Sequence, residues 1–157
     1  MKKYILFFCL IVTVLFACKK SDKNDYDGPF HAAEDDKKIQ AYLTTNKITA
    51  ERDPSGVYYK ILAPGSAAKP TVDNGIGVIY TGRLLATDSV FETHDKLSYF
   101  PSLNSLIEGW KIGIPKIGAG GHIMLYIPSN LAYQDQDQGG IPANSPLIFD
   151  IQLVGFN

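Results

Sequence analysis

Residues 104–114, NSLIEGWKIGI, run directly into Pro115, and the helix they predict decides the fold. Asn104 is a residue type that caps a helix through its side-chain oxygen, and the ring of Pro115 clashes with any continuation, so one short helix is expected from Asn104 through Ile114. The flanking sequence changes period. Residues 122–127 and 147–154 alternate well enough to be strands with one buried face, and they are bounded by Gly120-Gly121, Pro128 and Gly155. Upstream, residues 56–62 alternate weakly and stop at Pro64-Gly65, residues 77–80 are rich in β-formers and end at Thr81-Gly82, and residues 89–92 are a candidate hairpin partner. One short helix inside an antiparallel run of strands predicts an α+β fold in which the helix covers one face of the sheet.

Towards the N-terminus, residues 34–45, EDDKKIQAYLTT, place Ile39, Tyr42 and Leu43 at helical spacing, with acidic residues expected in the first turn where they favour a helix N-terminus. A helical extension over 34–54 is therefore expected, acting as a packing or spacer element outside the active module. Before it, SDKNDYDGP lacks periodic apolar positions and is rich in turn formers, so residues 18–33 read as a tether of at most about 3.4 Å per residue. The first stretch is a targeting signal: Lys2-Lys3 precede an apolar run from Tyr4 to Phe16 that is short for a membrane span. It ends in Leu15-Phe16-Ala17-Cys18, which resembles a bacterial lipobox. Cys9 leaves with the 1–17 signal, so Cys18 is the remaining thiol and the candidate lipidation site. Several acyl chains, each buried CH₂ contributing roughly 0.8 kcal/mol, would hold the protein on a membrane. Lys19 follows the cysteine where aspartate commonly signals inner-membrane retention, which points by resemblance to the outer membrane of a Gram-negative bacterium, facing the periplasm or the surface.

Composition excludes some chemistry. The 157 residues, 45% hydrophobic and 20% charged, fit one globular domain plus extras. The formal charge of −1 becomes −3 once residues 1–17 and their two lysines are removed, which argues against nucleic acid as a partner. His31, His94 and His122 stand in no metal-ligand spacing, so no metal site is expected. There is no G-x-S-x-G elbow, and GIPKIGAGG over residues 113–121 lacks both the phosphate-loop and the dinucleotide pattern. Asp135 and Asp137 lack the remaining ligands of a calcium loop. No cofactor is implied.

What remains is a spaced set of aromatic and aliphatic side chains suited to an apolar pocket: Tyr80, Phe91, Leu106, Ile107, Trp110, Tyr133, Ile141 and Phe149. Each has an ordinary use in a small core. Taken in order, however, VIYTG, VFET, LIEGW, GHIMLYIPSNLAY and GIPANSPLIFDIQLV resemble the FKBP family of peptidyl-prolyl cis-trans isomerases across residues 55–157. The resemblance implies a strongly twisted antiparallel half-barrel wrapped round the helix near 105–114, with the ligand between helix and sheet. It implies Trp110 as the floor under a proline ring, Tyr80, Phe91 and Phe149 as walls, and Leu106 and Ile107 at the helix entrance. The backbone N–H of Ile107 and the hydroxyl of Tyr133 would donate to the peptide, with Ile141 on the rim. Implied partners are proline-containing unfolded or exported polypeptides, and macrolides as inhibitors.

The sequence departs from the family at three places. Glu92 stands where aspartate is usual, lengthening the carboxylate's reach by one methylene, and Gln134 stands where glycine is common and allows positive φ. The segment between Phe91 and Trp110 is short, so counting back from Trp110 puts either Leu97 and Tyr99, or with a one-residue gap Phe100, at the pocket edge. Isomerase activity is the expectation; a non-enzymatic lipid-anchored chaperone or proline-peptide-binding module is the alternative.

Overall fold

The computed structural model describes residues 28–157, so the signal at 1–17, Cys18 and the tether up to residue 27 lie outside the described residues. Its elements are α1 (Gly28–Thr45), β1 (Glu51–Arg52), β2 (Tyr58–Ala63), β3 (Ile76–Leu84), β4 (Val90–Phe100), α2 (Glu108–Gly113), β5 (Gly121–Ile127) and β6 (Leu147–Phe156). The strands form one antiparallel sheet in the order β1-β2-β5-β6-β3-β4. The α+β expectation holds, with α2 on one face and α1 on the other.

Strand alternation explains the two faces. Ile123 pairs with Ile151, Leu125 with Phe149 and Ile127 with Leu147, so these side chains project to the same side and form the floor beneath α2. The alternate residues Tyr126 and Ile148 project the other way and meet Ile39 and Leu43 of α1. Further along β6 the same outward positions, Gln152 and Val154, are exposed, because α1 covers only one end of that face.

The helix α2 lies close to the sheet for a specific reason. Gly109 and Gly113, one turn apart, face Ile127 and Leu125, and a Cβ on either glycine would overlap those side chains. Replacing a glycine there would push the helix outward and carry Trp110 with it. Beyond α2 the chain makes a 3-10 turn over Ile114–Lys116, which admits Pro115 in its first positions. Lys116 then bonds Asp53 at 2.7 Å and sits 4.4 Å from the ring centre of Tyr59, tying the exit of α2 to the β1–β2 turn.

Several boundaries differ from expectation. The helix α1 starts at Gly28, so residues 28–33 belong to it and not to a tether. Pro29 is tolerated because first-turn N–H groups have no intrahelical acceptor, and Ala32 and Ala33 favour helix. The acidic residues therefore fall past the first turn, where they pair with side chains: Glu34 with Lys37, Asp35 with Lys38 and Asp36 with Arg52. Asn104 does not cap α2. It lies in a separate 3-10 turn, Leu103–Ser105, capped by Ser102, whose hydroxyl accepts the Asn104 N–H, and Ile107 occupies the cap position of α2 without a side-chain bond.

Strand 89–92 proves to be the start of the eleven-residue β4. Its pairing steps from His94 to Ser98 while β3 steps only from Tyr80 to Val78, a bulge of two extra residues that periodicity does not reveal. Across it the alternation persists. Leu97 and Tyr99 point outward, 61% and 59% exposed, and Phe100 points in.

Candidate active site

Four aromatic rings from four elements meet over the core: Tyr80 on β3, Phe100 at the end of β4, Trp110 on α2 and Phe149 on β6. The Trp110 ring lies 4.9 Å from Tyr80, 5.9 Å from Phe100 and 5.3 Å from Phe149, at interplanar angles of 89°, 82° and 90°. Perpendicular contacts of this kind match the positive edge of one ring to the negative face of another. The result is a box. It opens on a cleft of about 190 Å³ lined by Tyr80, Glu92, Phe100, Leu106, Ile107, Trp110, Tyr133 and Phe149.

Most of the residues singled out in the sequence line that cleft, and two do not. Phe91 stands behind Phe149, 5.7 Å away and nearly perpendicular, in space left free by the missing side chain of Gly82. Ile141 is 5% exposed and packs in the core, so it supports the loop and forms no rim. Phe100, left open against Leu97 and Tyr99 by the count from Trp110, takes the remaining wall.

Polar groups are few and differ in how far they are satisfied. Trp110 is 4% exposed, and its indole N–H is buried without an acceptor among the described residues. Ile107 precedes the first turn of α2, where backbone N–H groups have no intrahelical acceptor. Burial pushes the Tyr133 hydroxyl above the usual phenol range, with the Glu92 charge adding to it. Tyr80 is raised by burial and further by its hydrogen bond to Glu92. Both hydroxyls therefore stay protonated at neutral pH and able to donate.

The longer acidic side chain at 92 has a partner the sequence did not suggest. His94 Nε2 lies 2.9 Å from Glu92 Oε1, Ser98 Oγ lies 3.0 Å from His94 Nδ1, and the imidazole stacks on Tyr80 at 4.8 Å. The Ser98-His94-Glu92 chain holds the carboxylate beside the Tyr80 hydroxyl. The signal in the sequence is the same-face spacing of 92 and 94 on a strand.

The loop after Tyr133 does adopt the conformation that glycine would favour: Gln134 has φ of 57°. Its N–H donates to the carbonyl of Ser129 at 2.9 Å and its own carbonyl accepts from Asn144 N–H at 2.7 Å, so the strained residue is held on both sides.

Comparison with known proteins accords with this geometry. The profile of the family described as FKBP-type peptidyl-prolyl cis-trans isomerase matches residues 66–154. A curated relative from Aeromonas hydrophila, the FKBP-type peptidyl-prolyl cis-trans isomerase FkpA, is 35% identical over 127 residues, covering 78% of this chain and 47% of the relative. The chain thus spans about half the length of the curated relatives it matches. Among solved structures, FkpA from Escherichia coli superposes with a TM-score of 0.70 at 28% identity, covering 83% of this chain and 62% of that one. A peptidyl-prolyl cis-trans isomerase from Pseudomonas syringae pv. tomato gives 0.68 at 26% identity, covering 80% and 96%.

Proposed function

The chain belongs to the FKBP-type peptidyl-prolyl cis-trans isomerase family, and from that membership we propose that it accelerates X-Pro isomerisation in exported polypeptides by non-covalent stabilisation of the twisted amide. The observation that carries the proposal is the aromatic box around Trp110, whose buried indole N–H has no acceptor among the described residues, beside the cleft that Ile107 and Tyr133 also line.

Rotation about an X-Pro bond is opposed by roughly 18–20 kcal/mol because twisting breaks amide resonance. No bond needs to be made or broken, which suits a site without a nucleophile. The proline ring rests on Trp110 between Tyr80, Phe100 and Phe149, and the preceding carbonyl swings out of plane. Twisting makes the nitrogen pyramidal and less dependent on conjugation. A water-poor slot that fits this shape better than either planar isomer lowers the barrier by differential binding. The Tyr133 hydroxyl and the Ile107 N–H are the donors to the peptide carbonyls, already in place and requiring little rearrangement. Glu92 accepts from Tyr80 and sets that ring's orientation.

The test is the cis-to-trans conversion of a proline tetrapeptide with the purified full-length chain. A first-order rate rising linearly with protein concentration and suppressed by a family-type macrolide is expected. No rate above background overturns the proposal, and peptide binding without turnover assigns the pocket to a proline-peptide-binding module.

The placement proposed for this activity is a lipid anchor on Cys18, with Lys19 directing the protein to the outer membrane. Recovery of the protein only in the inner-membrane fraction overturns that placement.

A further inference from the structure

The helix α1 lies outside the span matched by the family profile, yet it reaches the candidate site through one side chain. Asp35 is completely buried, an unusual position for a carboxylate. One of its oxygens accepts from both the backbone N–H and the hydroxyl of Ser129, at 2.8 and 2.5 Å, while the other accepts from Lys38 at 2.9 Å. Charge-assisted bonds to a carboxylate are among the stronger hydrogen bonds, and an N–H and a hydroxyl on one oxygen fix both position and direction.

Ser129 is itself fully buried and opens the 3-10 turn Ser129–Leu131, which leads straight to Tyr133. The Ser129 carbonyl accepts from the N–H of Ala132 at 3.0 Å and of Gln134 at 2.9 Å, the residues on either side of Tyr133. A continuous hydrogen-bonded path therefore runs from α1 to the backbone that aims the Tyr133 side chain into the cleft. Gln134 gives that path work to do: a non-glycine residue at positive φ persists where its surroundings over-determine it.

We propose that Asp35 is a positioning residue for Tyr133, so that the N-terminal helix is a working part of the isomerase unit and not a spacer. The proposal rests on the isomerase reading of the cleft. It acts through a single target. Removing the Asp35 carboxylate frees the turn, displaces the Tyr133 hydroxyl and leaves the aromatic box in place.

The experiment compares the full-length chain with Asp35→Ala, Asp35→Asn and Ser129→Ala, each also in a Tyr133→Phe background, by tetrapeptide kinetics and amide hydrogen exchange. Asp35→Ala is expected to lower kcat about tenfold with KM changed less than about twofold, as for a misplaced catalytic donor. Asp35→Asn, which keeps an acceptor oxygen, is expected to recover part of the rate. In the Tyr133→Phe background the Asp35 substitution costs nothing further, because its effect runs through the missing hydroxyl. An equal loss in both backgrounds overturns the proposal, as does an unchanged rate in Asp35→Ala. Should Asp35→Ala not fold, Ser129→Ala removes the hydroxyl bond to Asp35 and keeps the backbone one, and it is judged by the same non-additivity. If the unsubstituted chain shows no catalysis, the isomerase reading fails by itself. Exchange then decides the buttress: faster amides over 129–134 with unchanged sheet amides support it, and unchanged loop amides overturn it.

Discussion

The two faces of one sheet use similar side chains to different ends. On the α1 face, two tyrosine hydroxyls are answered by side chains: Tyr58 donates to Asp36 at 3.0 Å and accepts from Gln40 at 3.0 Å, while Tyr42 donates to Asp88 at 3.2 Å. On the α2 face, the buried Trp110 N–H finds no hydrogen-bond partner among the described residues. Buried polar groups in a finished core are satisfied almost without exception. The unanswered Trp110 donor borders the aromatic cleft. The two faces differ in use and not in residue type, since both are rich in tyrosine and isoleucine.

Substitutions that break each face should read out differently. Trp110→Ala is expected to lower kcat/KM by about a hundredfold and to cost about 3 kcal/mol of stability, because it removes both the floor of the cleft and the centre of the aromatic box. Its counterpart Leu43→Ala, in the last turns of α1, is expected to cost about 2–3 kcal/mol while leaving kcat/KM of the folded protein unchanged. Thermal melts paired with the tetrapeptide assay check both. Equal losses of activity from the two would erase the distinction between the faces.

A smaller effect sharpens the view of the loop. Gln134→Gly relieves the positive φ at that position and is expected to stabilise by about 0.5–1 kcal/mol in urea titrations, net of the entropy that glycine adds to the unfolded chain. A destabilised variant would show that the Gln134 side chain contributes more than its backbone costs.

The smallest effect concerns the Asp53–Lys116 tie at the exit of α2. The Lys116 ammonium, aided by the Ser55 N–H, holds the Asp53 carboxyl down to about 2. A folded-state value below the unfolded one means stabilisation that is complete above the ordinary carboxylate range and is lost as pH falls from about 4 to about 2. The pair is near the surface, with 19% of the Asp53 side chain exposed. About 0.5 kcal/mol is therefore expected after solvent screening. Asp53→Asn should flatten that part of the stability-versus-pH curve, and an unchanged slope would place the acid sensitivity elsewhere.

Much of this architecture is legible in the sequence because it follows simple periods. The alternation of residues 122–127 and 147–154 places Leu125 and Phe149 on one face, and the spacing of Ile39 and Leu43 announces a buried helical stripe. Ordered aromatic fragments then locate Tyr80, Trp110 and Tyr133. What escaped reading was set by events without a period. The two-residue bulge in β4 keeps the alternation, with Phe100 inward and Leu97 and Tyr99 outward, but it sets which β3 residues the end of β4 meets. The Asp35–Ser129 contact joins residues 94 positions apart, and nothing local to either residue predicts the other. Phe91 depends on the space above Gly82, which only the folded register creates.

The central claim is that the box around Trp110 turns X-Pro bonds over without covalent chemistry. Exchange spectroscopy on a proline tetrapeptide in the presence of a small fraction of the full-length chain tests it at equilibrium. The account predicts exchange cross-peaks between cis and trans resonances that vanish with Trp110→Ala and weaken with Tyr133→Phe. Absent cross-peaks with the unsubstituted chain, or cross-peaks undiminished by loss of Trp110, would contradict it.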